Sequence, residues 1–578
     1  MMNPSAADSR RPSAGYLLEA LNEVGIEYLF CNMGTDHAPI IEELAARRKR
    51  GERCPQIVLC PHENTAIHMA GGYAAVTGKG QGVLVHVDVG TANAANGMHN
   101  LLRSRLPALL MAGKAPYTTA GEMLGTRDTY VHFVQEPFDQ GSLVRPYVKW
   151  EWTLPSGIVA KEAVRRAHAV MHSEPRGPAY LMLPRETLTE PLPPDRVKSY
   201  GAKQFGAAEA SGADPELVDR LARRLLAAEH PILITAFGGR NARTSELIEA
   251  LAQCAGIRVF ESNSVNNISH EGAHFCGFQV DQHLPRADVG MLVDVDVPWF
   301  PRDVAFSPDT FWAQIDVDVL KSNSPMWTFP ADLRIQGSSD RVLEQLLDRL
   351  RALGASGADP KTEARSLQIA GERRAWREQV ARRAEDPGRP DDINPHYLFD
   401  QLGKRLQPSD LVFNEAVRNA GALSAQLPRP RPGTLMRVGG GGLGASGGMA
   451  LGAKLAAPER MVVQVVGDGS FYFGNMDSVM AVSAQYRLPL LVIVLDNGGW
   501  SAVKESTLRV YPEGDAREQD EFAANFTANA DFSKAAEVHG AHGEILSDPG
   551  KVCEVLDRCI GIVESGRTAL VHVKLGRI

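Results

Sequence analysis

The chain has 578 residues, a formal net charge of −8 and an isoelectric point near 6.1, with 44% hydrophobic and 22% charged residues. This is a globular composition long enough for about three or four domains. The acidic balance excludes a nucleic-acid partner held through phosphate contacts. The longest clearly apolar run, "LPLLVIVL" (488–495), suits a buried strand and is too short for a membrane span. Seven cysteines (31, 54, 60, 254, 276, 553, 559) show no C-x-x-C spacing and read as reduced thiols. The start, "MMNPSAADSRRPSAG", has no apolar signal region. Both features point to the cytoplasm.

In chain order, a first block over 12–195 alternates strand-like runs ("EYLFC", "QIVLC", "GVLVHV", "PALLMAG", "PAYLMLP") with helical stretches. That alternation predicts βαβ units on a parallel sheet. The small, polar segment 199–215 reads as a linker. A second block, 216–352, repeats the alternation with "PILITAF", "IRVFES", "VGMLVDVD" and "FWAQIDVD". The basic stretch "GERRAWREQVARR" (371–383) has interleaved acids and reads as a solvated helix face. A third block, 392–578, offers "DLVFNEA", "TLMRVG", "MVVQVVGDG", "PLLVIVLDN" and "ALVHVKL". The expectation is an α/β protein of three layered domains.

Seven of the ten residues in "GGGGLGASGG" (439–448) are glycine. Gly442, Gly444 and Gly447 make a G-x-G-x-x-G, with Asp468 near the place of a ribose-binding acid, but Asp468 sits inside "GDGS" and not at an ordinary strand end. Gly444, Ser446 and Gly448 make a G-x-S-x-G, but no HGGG-type oxyanion loop precedes it. A third reading uses the stretch that follows. An apolar strand ending at Val466 leads into a turn Gly467-Asp468-Gly469, then a helix over 470–487, then a strand ending in Asp496-Asn497-Gly498-Gly499. A carboxylate and an amide oxygen thus leave the ends of two parallel strands, where open α/β sheets bind ligands. Hard oxygen donors beside a helix N-terminus suit Mg²⁺ on a diphosphate.

Gly467-Asp468-Gly469, then 26 residues, then Asp496-Asn497 resembles the signature of the thiamine-diphosphate enzymes, usually written GDG…NN. Asp496 stands where the first Asn is usual. "CPHENTAIHMAGGYA" (60–74) is similar to the family's H-E-x-x-A-x-x-x-A-x-G-Y-A pattern. His62, Glu63 and His68 do not make a zincin, whose second His falls on the same helical face as the first. The resemblance covers nearly the whole chain. It implies three doubly wound parallel-sheet domains: pyrimidine-binding (12–195), central and Rossmann-like (216–352), and diphosphate-binding (392–578). It implies thiamine diphosphate and Mg²⁺ as cofactors. Glu63 would promote the imino tautomer of the aminopyrimidine. Asp468, Asn497 and the Gly499 carbonyl would hold the metal. Gly442, Gly467, Gly469 and Ser470 would line the cofactor, the glycines as bare backbone, and Leu443 would wedge between its rings. The resemblance also implies a homodimer or homotetramer with active sites between subunits.

Within the family, "HVDVGTANAANGM" (86–98) and "NMGTDHAP" (32–39) resemble benzoylformate decarboxylases, which places His86 and Thr35 at the substrate. "FVQEPFDQGSLVRPYVKW" (133–150) resembles acetolactate synthases. Ala416, Val417 and Arg418 lack the hydroxyls that benzoylformate decarboxylases offer the diphosphate. The expected activity is a 2-oxo acid decarboxylase or carboligase. The alternatives are acetolactate-synthase-like transfer, and a pyruvate-oxidase-like enzyme whose FAD nothing in the sequence indicates.

Overall fold

The computed structural model describes residues 10–197, 201–526 and 530–577. Its contacts divide the chain into two compact units: one of 1–209, 438–459 and 470–490, the other of 210–437, 460–469 and 491–578.

The first unit holds a six-stranded parallel sheet of β1 (Tyr28–Cys31), β2 (Gln56–Leu59), β3 (Gln81–Val85), β4 (Ala108–Lys114), β5 (Glu151–Thr153) and β6 (Ala179–Pro184). The spatial order is β2-β1-β3-β4-β6-β5. Central β3 is buried along its whole length, as a strand covered on both faces must be. The core joins Leu17, Leu21, Leu29, Leu84, Leu109, Met111 and Leu181.

The second unit holds two parallel sheets. One contains β7 (Pro231–Thr235), β8 (Arg258–Glu261), β9 (Val289–Val293), β10 (Phe311–Asp316) and β11 (Leu333–Gln336), ordered β8-β7-β9-β10-β11. The other contains β12 (Leu411–Glu415), β13 (Leu435–Met436), β14 (Val462–Gly467), β15 (Leu491–Asp496), β16 (His542–Leu546) and β17 (Ala569–Lys574), ordered β13-β12-β14-β15-β17-β16. Numbered within its own sheet, the first sheet runs 2-1-3-4-6-5, and so does the third. The expected α/β class of doubly wound parallel sheets is what the chain forms.

Four helices matter for function: α1 (Glu63–Thr77), α2 (Val87–Arg103), α3 (Ser446–Ala456) and α4 (Met476–Tyr486). Helix α1 starts because the His62 ring accepts the Asn64 N–H, and it stops at Gly78, whose φ of 71° few other residues adopt. In the first unit α1 packs on α3 through glycine. A Cβ at Gly72 would sit 1.9 Å from the Met449 carbonyl oxygen, and one at Gly452 would sit 2.0 Å from that of Met69. Only bare backbone permits so close a crossing.

Three local expectations change. The GDG segment forms no separate turn: β14 runs through Gly467, and a helix begins at Asp468. The helix expected over 470–487 is broken into Asp468–Phe473 and α4. The break falls at Gly474-Asn475, and Asn475 has φ 47°, a left-handed conformation that Asn tolerates. The strand expected in "TLMRVG" shrinks to Leu435–Met436, because the Arg437 N–H turns away to the Val265 carbonyl. The basic stretch lies in a helix, Pro360–Arg383. Arg374 and Glu378 are exposed there as expected, but Trp376 packs on Phe275 and Arg377 donates to the His270 carbonyl. Of the expected linker, residues 199 and 200 lie outside the described residues.

Candidate active site

In the first unit, Glu63 opens α1 and is 7% exposed. It does not cap its helix; His62 does. Its Oε2 accepts from Asn93 Nδ2 at 3.1 Å, and Oε1 has no hydrogen bond among the described residues. Burying a carboxylate costs free energy unless it is hydrogen-bonded or paired, and among the described residues one oxygen alone has such a partner.

Strands β1 and β3 are neighbours, and the chain leaves them in opposite directions, so their C-terminal ends form the switch point of the sheet. Thr35 lies in the short turn Thr35–His37 after β1, and His86 follows β3 directly. Both therefore stand at strand ends. Their partners are new. His86 Nδ1 lies 2.5 Å from Asp36 Oδ1. Thr35 Oγ1 lies 3.1 Å from His132 Nε2. His132 Nδ1 is 3.2 Å from Asp128 Oδ1, and Arg185 grips Asp128 with two bonds of 2.9 Å. The Asp36 hydrogen bond holds His86 above the usual histidine range, although burial opposes it. Burial, with Arg185 nearby, lowers His132.

The glycine loop before α3 belongs to the same unit, and its bare backbone meets the chain itself. Asn100 donates to the Gly442 carbonyl at 2.9 Å and accepts the Gly442 N–H at 3.0 Å. Asn96 donates to the Leu443 carbonyl, and Asn64 to that of Gly444. A Cβ at Gly442 would lie 2.2 Å from Asn96 Oδ1. His68, wholly buried, bonds the Asn64 carbonyl and Asn100. Leu443 is half-buried. Ser470 is buried in the first turn of its helix.

In the second unit, β12 and β14 form the switch point of the third sheet. Asp468 follows β14 and is 2% exposed. Its Oδ1 accepts the Gly469 N–H and its Oδ2 the Gly499 N–H, both at 2.8 Å. Burial pushes Asp468 up to about 6, and the charge of Asp496 adds to this. Asn497 Oδ1 is buried with no hydrogen-bond partner among the described residues. The Gly499 carbonyl accepts from Ser501 N–H at 3.1 Å, which leaves it one lone pair. Gly469 is required by Trp500, whose Cδ1 would lie 2.4 Å from an added Cβ, whereas Gly467 meets nothing within 4 Å.

Asp496, the departure from the family pair, lies beside Asp468, close enough for its carboxyl to raise that of Asp468, and has further partners of its own. Its Oδ2 accepts from His572 at 2.8 Å and Lys574 at 2.6 Å, and its Oδ1 accepts the Gly498 N–H. Burial raises its carboxyl, but the hydrogen bonds from His572 and Lys574 more than offset that and hold it well below the usual range. Val417, at the same switch point, has φ 47°, a strained conformation for a β-branched residue.

The donor set fits a hard divalent cation: a buried carboxylate, an unpartnered amide oxygen and a backbone carbonyl. Residues 13–143 match the N-terminal TPP binding domain of thiamine pyrophosphate enzymes, and residues 419–573 match their C-terminal TPP binding domain. The chain belongs to the thiamine pyrophosphate enzymes. This enzyme is 26% identical over 508 residues to benzoylformate decarboxylase of Pseudomonas aeruginosa, spanning 85% of this chain and 87% of that one. It is 25% identical over 530 residues to the acetolactate synthase isozyme 3 large subunit of Escherichia coli, spanning 89% and 87%. Its fold is similar to that of the thiamine diphosphate-dependent 4-hydroxybenzoylformate decarboxylase of Rhodococcus jostii RHA1, with TM-score 0.75, 19% identity, and 98% and 100% of the two chains covered.

Sequence reasoning about this thiamine pyrophosphate enzyme missed Asp36, His132, Asp128, Asn93, His572 and Lys574. Asp36 had a local signal, a carboxylate beside a histidine in a strand-end turn. His132 and Asp128 reach Thr35 only through the tertiary fold. His572 and Lys574 were legible in part, since "ALVHVKL" alternates and sets both polar side chains at one end of a strand.

Proposed function

We propose that this chain is a thiamine-diphosphate- and Mg²⁺-dependent 2-oxo acid decarboxylase or carboligase. The observation that carries the reading is the donor set of Asp468 and the unpartnered Oδ1 of Asn497 at adjacent strand ends, in a chain matching both cofactor-binding domains. Asp468, Asn497 and the Gly499 carbonyl would hold Mg²⁺. Gly467, Gly469 and Ser470 would line the diphosphate, with Gly442 and Leu443 beside the rings. When bound, the cofactor supplies the nucleophile and electron sink for cleaving the bond next to a 2-oxo group.

The other steps belong to this chain's own residues. Glu63 would take or give a proton at its free Oε1, with Asn93 fixing the other oxygen. Thr35, exposed and tied to His132, would hold the substrate by its hydroxyl. His86 would protonate the substrate carbon once CO₂ has left, as a group that changes charge near neutral pH can. We infer a cytoplasmic homodimer or homotetramer with active sites between subunits, as the family resemblance implies.

The benzoylformate decarboxylase relative favours decarboxylation, and the acetolactate synthase relatives favour transfer to a second carbonyl as the alternative. A panel of aromatic and aliphatic 2-oxo acids, assayed for CO₂ release with and without an aldehyde acceptor, separates the two. CO₂ release without acceptor is expected. Absence of release from every acid, with thiamine diphosphate and Mg²⁺ present, overturns the reading. The visible spectrum of the purified protein decides whether FAD is bound.

A further inference from the structure

His86 has an unusual neighbour for a residue at the start of a helix. It occupies the N-cap position of α2, yet its ring makes no cap hydrogen bond. Its Nδ1 points inward, 2.5 Å from Asp36 Oδ1. Asp36 is wholly buried. Its Oδ2 lies 3.2 Å from His37 Nε2 and accepts the Val87 N–H at 3.4 Å.

The cradle around this pair admits no larger residues. A Cβ at Gly113 would sit 1.4 Å from Asp36 Oδ2, and one at Gly34 would sit 2.0 Å from His86 Nδ1. Val87 holds a positive φ of 21° to bring its N–H to the carboxylate. Burying a carboxylate this deeply is unfavourable unless it is paired and hydrogen-bonded. The groups facing His86 are Asp36 and His37 from the turn after β1, Asp88 from the first turn of α2, His132 from the short helix Val131–Val134, and Gln135 just after that helix, whose side chain also hydrogen-bonds the ring. Asp36 alone among them bonds the ring at Nδ1.

We propose that Asp36 is the positioning residue of His86: by taking the hydrogen bond of Nδ1–H it makes Nε2 the nitrogen that delivers a proton to substrate. An imidazole has two nitrogens, and the bond on one fixes the role of the other. The side chain of His86 is 17% exposed, and its inward edge is already committed. The step balances on the ring. The Nε2 proton passes to the substrate carbon that has lost CO₂, and His86 becomes neutral while keeping Nδ1–H on Asp36. Solvent then returns the proton to Nε2.

The proposal rests on the decarboxylase reading, so its test includes a measurement that needs no substrate. Of the two protonation states of a histidine, diethyl pyrocarbonate modifies only the neutral one. The rate at His86, followed by peptide mass spectrometry against pH on the intact enzyme, gives its titration midpoint. In the native enzyme the midpoint is expected above the ordinary histidine value of about 6.5. Asp36→Asn should lower it by one pH unit or more. In the same variant the alkaline limb of the kcat profile should shift down by a similar interval, while thiamine diphosphate affinity stays within about threefold. Asp88→Asn should leave the midpoint within a few tenths of a unit. An unchanged midpoint in Asp36→Asn overturns the proposal. If that variant does not fold, a native midpoint at or below the ordinary value overturns it instead. If no 2-oxo acid is turned over, the functional reading fails, and the midpoint still decides the role of Asp36.

Discussion

At the residue scale, Asp468 is a buried carboxylate held by two backbone N–H groups. Its carboxyl is pushed up to about 6 from 3.8, first by burial. The unfolded chain therefore loses this proton at lower pH than the folded one, and the group opposes folding increasingly as pH rises through that interval. At pH 8, Asp468→Asn should melt no lower than the native protein when Mg²⁺ and thiamine diphosphate are both absent. It should gain nothing when both are added, whereas the native protein gains stability by linkage. A variant that is weaker alone, or equally stabilised by the cofactor pair, contradicts the assignment. Glu63 makes the complementary case. Glu63→Gln keeps shape and the Asn93 contact but loses the titrating carboxylate, so turnover should fall by about 10²–10⁴-fold with the fold intact. Near-native turnover in that variant would reduce Glu63 to a structural residue.

At the element scale, glycine does most of its work between helices. Gly71 and Gly72 are adjacent on α1 but face different neighbours. An added Cβ at Gly72 meets the Met449 carbonyl at 1.9 Å, and one at Gly71 meets the tip of Leu101 at 2.9 Å. Backbone cannot yield as a leucine methyl can. Gly72→Ala should therefore cost about 1–3 kcal/mol or more, as overpacked sites do, and Gly71→Ala clearly less. Thermal melts of the two variants check the ranking, and equal losses would contradict it. The sequence exposed the glycine pattern but not its partner, because the contact joins residues nearly 400 positions apart. Strands divide in a similar way. The buried runs of β1, β3, β4, β6, β14 and β15 stood out as continuous apolar stretches. Within the three large sheets, the three strands that escaped notice, β5 ("EWT"), β11 ("LRIQ") and β16 ("HGEIL"), each lie at the end of a sheet. An edge strand is short and partly solvated, so it carries the weakest apolar signal. The split of the expected 470–487 helix was signalled locally by Gly474-Asn475.

At the scale of the whole molecule, the first and third sheets are the same topological device with different side chains at equivalent places. The residue after the third strand is His86 in one and Asp468 in the other, and both stand at a switch point. One fold plan thus presents an imidazole in one sheet and a buried carboxylate in the other. The family signatures made Asp468, Asn497 and Glu63 legible from sequence. Asp36 carried only a local signal beside His37, and His132 carried none, because their contacts with His86 and Thr35 form only in the tertiary fold. The proposed assembly also makes a prediction. Mixing inactive Glu63→Gln with inactive Asp468→Ala subunits should restore some activity if active sites are shared between chains, and full activity in a strictly monomeric preparation would contradict sharing. The central claim is that this chain holds thiamine diphosphate through a divalent cation on Asp468 and Asn497. Calorimetric titration of thiamine diphosphate into metal-stripped protein tests it most directly: saturable binding is predicted with Mg²⁺, little with EDTA and none in Asp468→Ala, whereas equal binding with and without the metal, or no binding at all, would contradict it.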